Sequence, residues 1–265
     1  MERKFHDVGQ GSVGGSQAVE RAAQLLVHVL QDGDELAVGE LARATGLPKS
    51  TTSRLLAALE RHGLVERHGA RGKVRVGPVM VRFAHSDAMR GTLVELAREA
   101  LDALAETSGE TVNLAVPTAA GVEHLAQVDS PHIIGAGQWV GRRVAYHCTA
   151  VGKVFLAFGA AALPDGSLPR LAPRTIVSHD HLAAALERVR LQGYATASDE
   201  LEPGLASMAA PVRAPSGDVV AALSLSGPVF RLTPQRLGEL RPILVEQTSR
   251  LAERLGYCPD AEGAA

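Results

Sequence analysis

The stretch Gly39-Glu40-Leu41-Ala42-Arg43-Ala44-Thr45-Gly46-Leu47-Pro48-Lys49-Ser50-Thr51-Thr52-Ser53-Arg54-Leu55-Leu56 decides the reading of the first part of this chain. Leu41 and Ala42 sit on a short helix that Gly46 can end in a left-handed turn. Pro48 then suits the first turn of another helix, where its missing N–H is no loss. That helix runs to about His62 with Leu55, Leu56 and Leu59 facing inward, and Gly63 closes it. Two short helices around a tight glycine turn place the leading end of the second in a DNA major groove. The start of the first, Ala37-Val38-Gly39-Glu40, has no Ser, Thr, Asp or Asn cap, a deficit of order 1 kcal/mol.

Upstream, Val19, Ala22, Ala23, Leu26, Val27 and Leu30 recur at helical spacing, and Gly33-Asp34 breaks the run. Downstream, Leu64–Arg67 and Lys73–Val76 flank the turn His68–Gly72, two strands that make a wing. Residues 48–77 hold seven basic side chains against two acidic ones, an excess that suits a phosphate backbone. Lys49, Ser50, Thr51, Ser53 and Arg54 supply cations and small hydroxyls for phosphates and base edges. Arg71, Lys73 and Arg75 can reach the neighbouring backbone or minor groove. A winged helix that serves only as a protein-contact module is the alternative.

The whole chain has 265 residues, 46% hydrophobic, 21% charged and only 3% aromatic, enough for two domains with cores of Leu, Val and Ala. The division expected is a flexible tail over 1–16, a DNA-binding domain over 17–78, a linker helix over 79–91, a second domain over 92–257 and a tail over 258–265. In the second domain, strand-like runs fall at Thr111–Val116, Val122–Val128, Ala206–Val212 and Val219–Ser226, with helical runs at 149–158, 181–192 and 233–255. Without strict βαβ alternation, a mixed α+β sheet domain is expected. The N-terminus has no basic segment followed by an apolar run, and Thr149–Leu163 carries Lys153 and two glycines and is too short to cross a bilayer. Cys148 and Cys258 lie far apart without metal or disulfide spacing, so no membrane contact and a reducing cytoplasm are expected.

These stretches, together with motifs further on, resemble the IclR (isocitrate lyase regulator) family of bacterial transcriptional regulators. The motifs are Gln17–Leu30, Glu40–Arg67, Gly77-Pro78, Tyr146–Lys153, Gly193-Tyr194-Ala195, Glu200–Gly204, Met208–Val212 and Ala222–Pro228, in order over residues 16–257. The resemblance implies a GAF-like effector-binding domain with an antiparallel sheet behind the winged helix-turn-helix. It also implies a homodimer or homotetramer on a near-palindromic operator, acting as a ligand-responsive repressor. By position, it puts effector contacts at Ile133, Ala136, Val144, Ala150, Val151, Ala197, Leu205, Ser207, Ser224 and Ser226. Ala197 stands where the family has an acid, and Ser207 where it has a cysteine; Asp199 is nearby.

The residues themselves agree with a pocket. In an extended run Ser224 and Ser226 share one face while Leu223 and Leu225 take the other, and Leu205, Ser207 and Ala209 form a similar set. Thr149 can cap a helix whose first amides would receive a carboxylate. The mostly apolar wall suits a somewhat larger or aromatic acid. No catalytic set, metal or cofactor is expected: His147 and Cys148, adjacent in extended backbone, point apart. His179 and His181 do not share a helical face, and Gly135, Gly137 and Gly141 miss the dinucleotide spacing. An enzyme or metabolite-binding protein with a scaffolding winged helix is the alternative, as is an interaction module that uses the connector.

Overall fold

In the computed structural model, residues 13–32, 35–69, 72–84 and 86–258 are described, and they fall into two compact units, Met1–Met89 and Arg90–Ala265. The first unit has helices α1 (Val13–Asp32), α2 (Val38–Ala44) and α3 (Lys49–Arg61), strands β1 (Val65–His68) and β2 (Lys73–Val76), and helix α4 (Pro78–Ala84). Its core is Leu25, Val29, Leu41, Leu56, Leu59, Val65 and Val74. Helix α1 starts at Val13, so residues 13–16, expected in the tail, are helical; residues 1–12 and 259–265 lie outside the described part. Its buried stripe is also rotated from the one expected. Leu25 and Val29 are inside, while Val19, Val27 and Leu30 stay exposed.

Helix α2 recovers part of its missing cap. The Ala37 backbone N–H donates to the Glu40 carboxylate at 2.7 Å, the half of a capping box that needs no side chain on Ala37. The wing gains a third short partner: Leu36 and Val74 exchange backbone hydrogen bonds at 2.9 and 2.7 Å. The connector is two helices rather than one over 79–91, because Ser86 starts a new one. Its hydroxyl accepts from the Met89 N–H at 3.3 Å as an N-cap does, and α5 runs Asp87–Ser108.

The second unit is one six-stranded antiparallel sheet in the order β5 (Arg143–Val144), β4 (Gly121–Val128), β3 (Thr111–Thr118), β8 (Val219–Pro228), β7 (Leu205–Arg213), β6 (Ala195–Ser198). The short β5 and β6 were not among the expected strands. Helix α5 and helix α8 (Pro234–Arg254) cover one face, where Leu223 and Leu225 are buried. Helices α6 (Ala150–Ala157) and α7 (His179–Gln192) cover the other. Helix α6 is buried along its whole length. Gly152 makes that possible, since a Cβ there would stand 2.1 Å from the Tyr146 carbonyl oxygen.

Arg231 grips the buried Glu110 carboxylate with two bonds, 2.6 and 2.8 Å, and donates to the Ile134 carbonyl at 2.7 Å. It thereby ties the long segment after β4 to the sheet. Glu110 is 4% exposed. Removing its partner leaves a carboxylate in low dielectric. Arg231→Ala is expected to cost about 3 kcal/mol in a urea-unfolding measurement of the full chain.

Candidate DNA interface and effector cavity

In the first unit, the start of α3 presents Lys49, Ser50 and Arg54 to solvent, with Thr51 and Ser53 half-buried. Thr52 turns inward, fully buried, and donates to the Pro48 carbonyl at 3.1 Å. Helices α2 and α3 approach at Gly39, where a Cβ would meet the Lys49 stem at 3.3 Å. The hydroxyl of Ser53 is engaged, accepting from Arg67 Nη2 at 3.3 Å, and Arg67 also pairs with Glu60. On the wing, Arg75 is paired to Glu66 at 2.6 Å across the β1–β2 ladder, whereas Lys73 is exposed. Among the described residues, Lys49, Arg54 and Lys73 make no ion pair. Arg71 lies outside the described residues.

In the second unit, a cavity of about 30 Å³ lies between the sheet and the start of α6. It brings together seven of the ten residues singled out above: Val144, Ala150, Val151, Leu205, Ser207, Ser224 and Ser226. The other three are elsewhere. Ala197 pairs with Ser207 in the ladder but is buried in the packing beneath α6 and α7. Ala136 lines an open groove that shares only Trp139 and Leu205 with the cavity, and Ile133 is fully exposed.

Five lining residues escaped the reading as contacts: Asn113, His124, Trp139, Thr149 and Leu201. Thr149 was recognised only as a cap, and its hydroxyl does accept from the Gly152 N–H at 3.1 Å. Trp139 is the single tryptophan of the chain, a signal that was there to use. Nothing marks His124, because a bulge brings it in. Along β4, Gln127 faces Asn113 and His124 faces Ala115, so Leu125 is an extra residue between them. Both Gln127 and His124 therefore share the cavity face, although strict alternation would separate them.

The cavity is short of partners. His124 Nδ1, Trp139 Nε1 and Ser226 Oγ are all buried with no hydrogen-bond partner. Burial pushes the His124 imidazole down to about 4 from its ordinary 6.5, against a backbone hydrogen bond at Arg142 that raises it. Trp139 is held in place through its backbone. Its N–H donates to Gln127 Oε1 at 2.9 Å, and that oxygen also accepts from Asn113 Nδ2 at 2.8 Å. Deeper, Lys153 on α6 pairs with Glu200 at 2.7 Å, beside the cavity residue Leu201. Cys148 is buried, and desolvation first, then the Glu200 charge, raises its thiol to about 11, which makes it inert as a nucleophile near neutrality. His147 hydrogen-bonds the Pro169 carbonyl at 3.0 Å, away from it.

Residues 18–69 match the IclR helix-turn-helix domain, and residues 86–252 match the bacterial transcriptional regulator IclR C-terminal domain. The chain belongs to the IclR family. It is 32% identical to the HTH-type transcriptional regulator XynR of Escherichia coli (strain K12), over 91% of this chain and 98% of that one. It is 29% identical to the transcriptional repressor IclR of the same strain, with 92% of each chain covered. A solved IclR-family regulator from Rhodococcus sp. superposes with a TM-score of 0.64 at 27% identity, over 95% and 96% of the two chains. The chain is thus a DNA-binding transcriptional regulator whose C-terminal domain is the effector-binding one. Among the described residues, no helix is long and apolar enough to cross a membrane.

The neutral His124 has a measurable consequence. An unfolded chain protonates it near pH 6.5, the folded chain only near about 4. Between those values the unfolded state holds the extra proton, so the stability present above 6.5 is lost as pH falls through the window. The loss expected by pH ~5.5 is about 1 kcal/mol. Denaturation curves at pH ~7.5 and ~5.5 measure it, and His124→Gln should flatten the difference.

Proposed function

We propose that this regulator is a repressor that grips operator DNA with the leading end of α3 and the β2 side of the wing, and lets go or tightens when a small organic acid enters the C-terminal cavity. The observation that carries the DNA half is the set of exposed cations without ion pairs, Lys49 and Arg54 near Ser50 and Thr51 on the first turns of α3 and Lys73 on the wing. A groove lined by phosphates is the surface that rewards such a set. Arg54 is the candidate base reader, while Lys49 and Lys73 serve as phosphate contacts, with Arg71 beside them by sequence. Arg75 and Ser53 already have protein partners, Glu66 and Arg67, and contribute by holding the wing against α3 or by exchanging those partners for DNA.

The cavity half rests on the unpartnered buried groups of residues that line it. The volume of about 30 Å³ favours a body of a few non-hydrogen atoms over the aromatic acid that the apolar wall suggested. An acid would leave its binding energy in whichever conformer seats it better, and only that difference can alter operator affinity. The route available along the chain is the segment 79–91. A homo-oligomer, dimer or tetramer, fits the apolar Val19, Val27 and Leu30 left in solvent on α1. Its two-fold symmetry would read a near-palindromic site.

DNA binding by the full chain to its own upstream region tests the reading. Arg54→Ala is expected to weaken specific binding by about 1–3 kcal/mol. Lys73→Ala should lower affinity for all sequences alike and reduce the salt slope by about 1. A thermal-shift screen of small acids, with each hit added back to the DNA assay, tests the effector half. Absence of salt-sensitive, sequence-selective binding with and without the hits overturns the proposal.

A further inference from the structure

We propose that the effector is a small hydroxy-carboxylate whose hydroxyl sits between His124 and Trp139; this rests on the effector reading of the cavity given above. His124 is 7% exposed, lines the cavity, and leaves Nδ1 without a partner. Its low proton affinity keeps the ring neutral, with one N–H and one bare nitrogen. We take Nδ1 as the bare nitrogen, since it has no partner and the ring's one backbone contact, at Arg142, is made elsewhere on the ring. Nδ1 is then a bare acceptor that wants a donor. Trp139 Nε1 is the reverse, a donor with no acceptor.

The two rings stand 6.0 Å apart, centroid to centroid, tilted by 41°. We place one hydroxyl oxygen between the two rings, where it accepts from Trp139 Nε1 and donates its O–H to His124 Nδ1. A water molecule can do both as well, and a ligand hydroxyl takes over both of its bonds. A ketone or ester carbonyl satisfies Trp139 and leaves His124 bare, while an ammonium does the opposite. The cavity is also lined by the first turn of α6 at Ala150 and Val151, whose amides the helix itself leaves unbonded, and by the Ser226 hydroxyl, 7% exposed and also unpartnered. These groups can supply donors to an anion. Carboxylate at the helix start and hydroxyl at the ring pair answer the three buried, unpartnered side-chain atoms that line the cavity.

The test uses three matched three-carbon acids, lactate, pyruvate and propionate, with calorimetry on the full chain. Lactate is expected to bind about tenfold more tightly than either of the others, since each of those leaves a buried group unpaired. Trp139→Phe should weaken lactate and pyruvate by similar factors, because both offer an acceptor. His124→Phe should bring lactate to within about threefold of pyruvate, and His124→Gln, whose amide oxygen accepts, should keep the preference. Should the phenylalanine variant fail to fold, the ¹⁵N shift of Nδ1 in histidine-labelled native protein reads the same bond; it should move with lactate and stay put with propionate. Equal affinity for pyruvate, or a preference that survives His124→Phe, overturns the hydroxyl placement while leaving the cavity as an acid site. Binding of none of the three acids also overturns it. In that case a DNA-releasing hit from the broader screen would still uphold the effector reading, and its absence would remove both.

Discussion

A hydrogen-bonding group taken out of water must find a partner inside the protein or in what the protein binds. The second unit meets this constraint almost everywhere with short, specific bonds. Glu110 is held by Arg231, Lys153 by Glu200, and Thr175 both donates to and accepts from its surroundings. Besides the second carboxylate oxygen of Glu200, it fails to do so around one small cavity. His124, Trp139 and Ser226 keep buried polar atoms bare, at a cost of order 1–3 kcal/mol each if the site stayed dry and empty. The fold tolerates that cost because sheet and helices around the cavity are otherwise densely apolar, with Ala115, Val122, Ala209 and Ala222 packed on α6 and α7.

The sheet prepares this site by dividing its two faces. Leu223 and Leu225 face α5 and α8, and Ser224 and Ser226 face the cavity, so one strand both seals the core and furnishes the hydroxyls. Neighbouring strands add to the same row: Ser226 pairs with Thr111 and Ser207, Ser224 with Asn113 and Ala209. The bulge at Leu125 then delivers His124 to a face it would otherwise leave. Helix α6 can bring its amides down onto this row only because Gly152 lets it rest on the Tyr146 backbone. The segment carrying Trp139 is fixed from two sides, by Gln127 and by Arg231 through Ile134. Rigid walls with unpaired groups make a selective receptor, since misfit cannot be relaxed away.

The first unit works on the opposite principle. Its functional groups stay wet and unpaired on the outside, and the core below them is a handful of Leu and Val side chains plus the buried Thr52. Charges that pair internally, Arg67 with Glu60 and Arg75 with Glu66, brace the wing. The cations left over are the ones free to release counterions from a duplex.

What the sequence determined by itself is whatever depends on neighbours along the chain. Gly46 and Pro48 bracket a turn, alternation marks β3, β4, β7 and β8, and parity puts Ser224 and Ser226 on one face. Local chemistry also identified Thr149 as a cap and kept the neighbours His147 and Cys148 from being read as a catalytic pair. What needed the tertiary structure is whatever depends on a choice among equivalent local patterns. Helix α1 is apolar at more positions than one face can hold, so only docking against α3 and β2 selects Leu25 and Val29. A bulge changes parity without changing composition, which hid His124. Ile133, Ala136 and Ala197 fell outside the cavity because a position matched along the chain does not fix where a loop or edge strand carries its side chain. Ser86 shows the same limit from the other side: one hydroxyl reaching one amide was enough to divide a helix that periodicity would have run straight through.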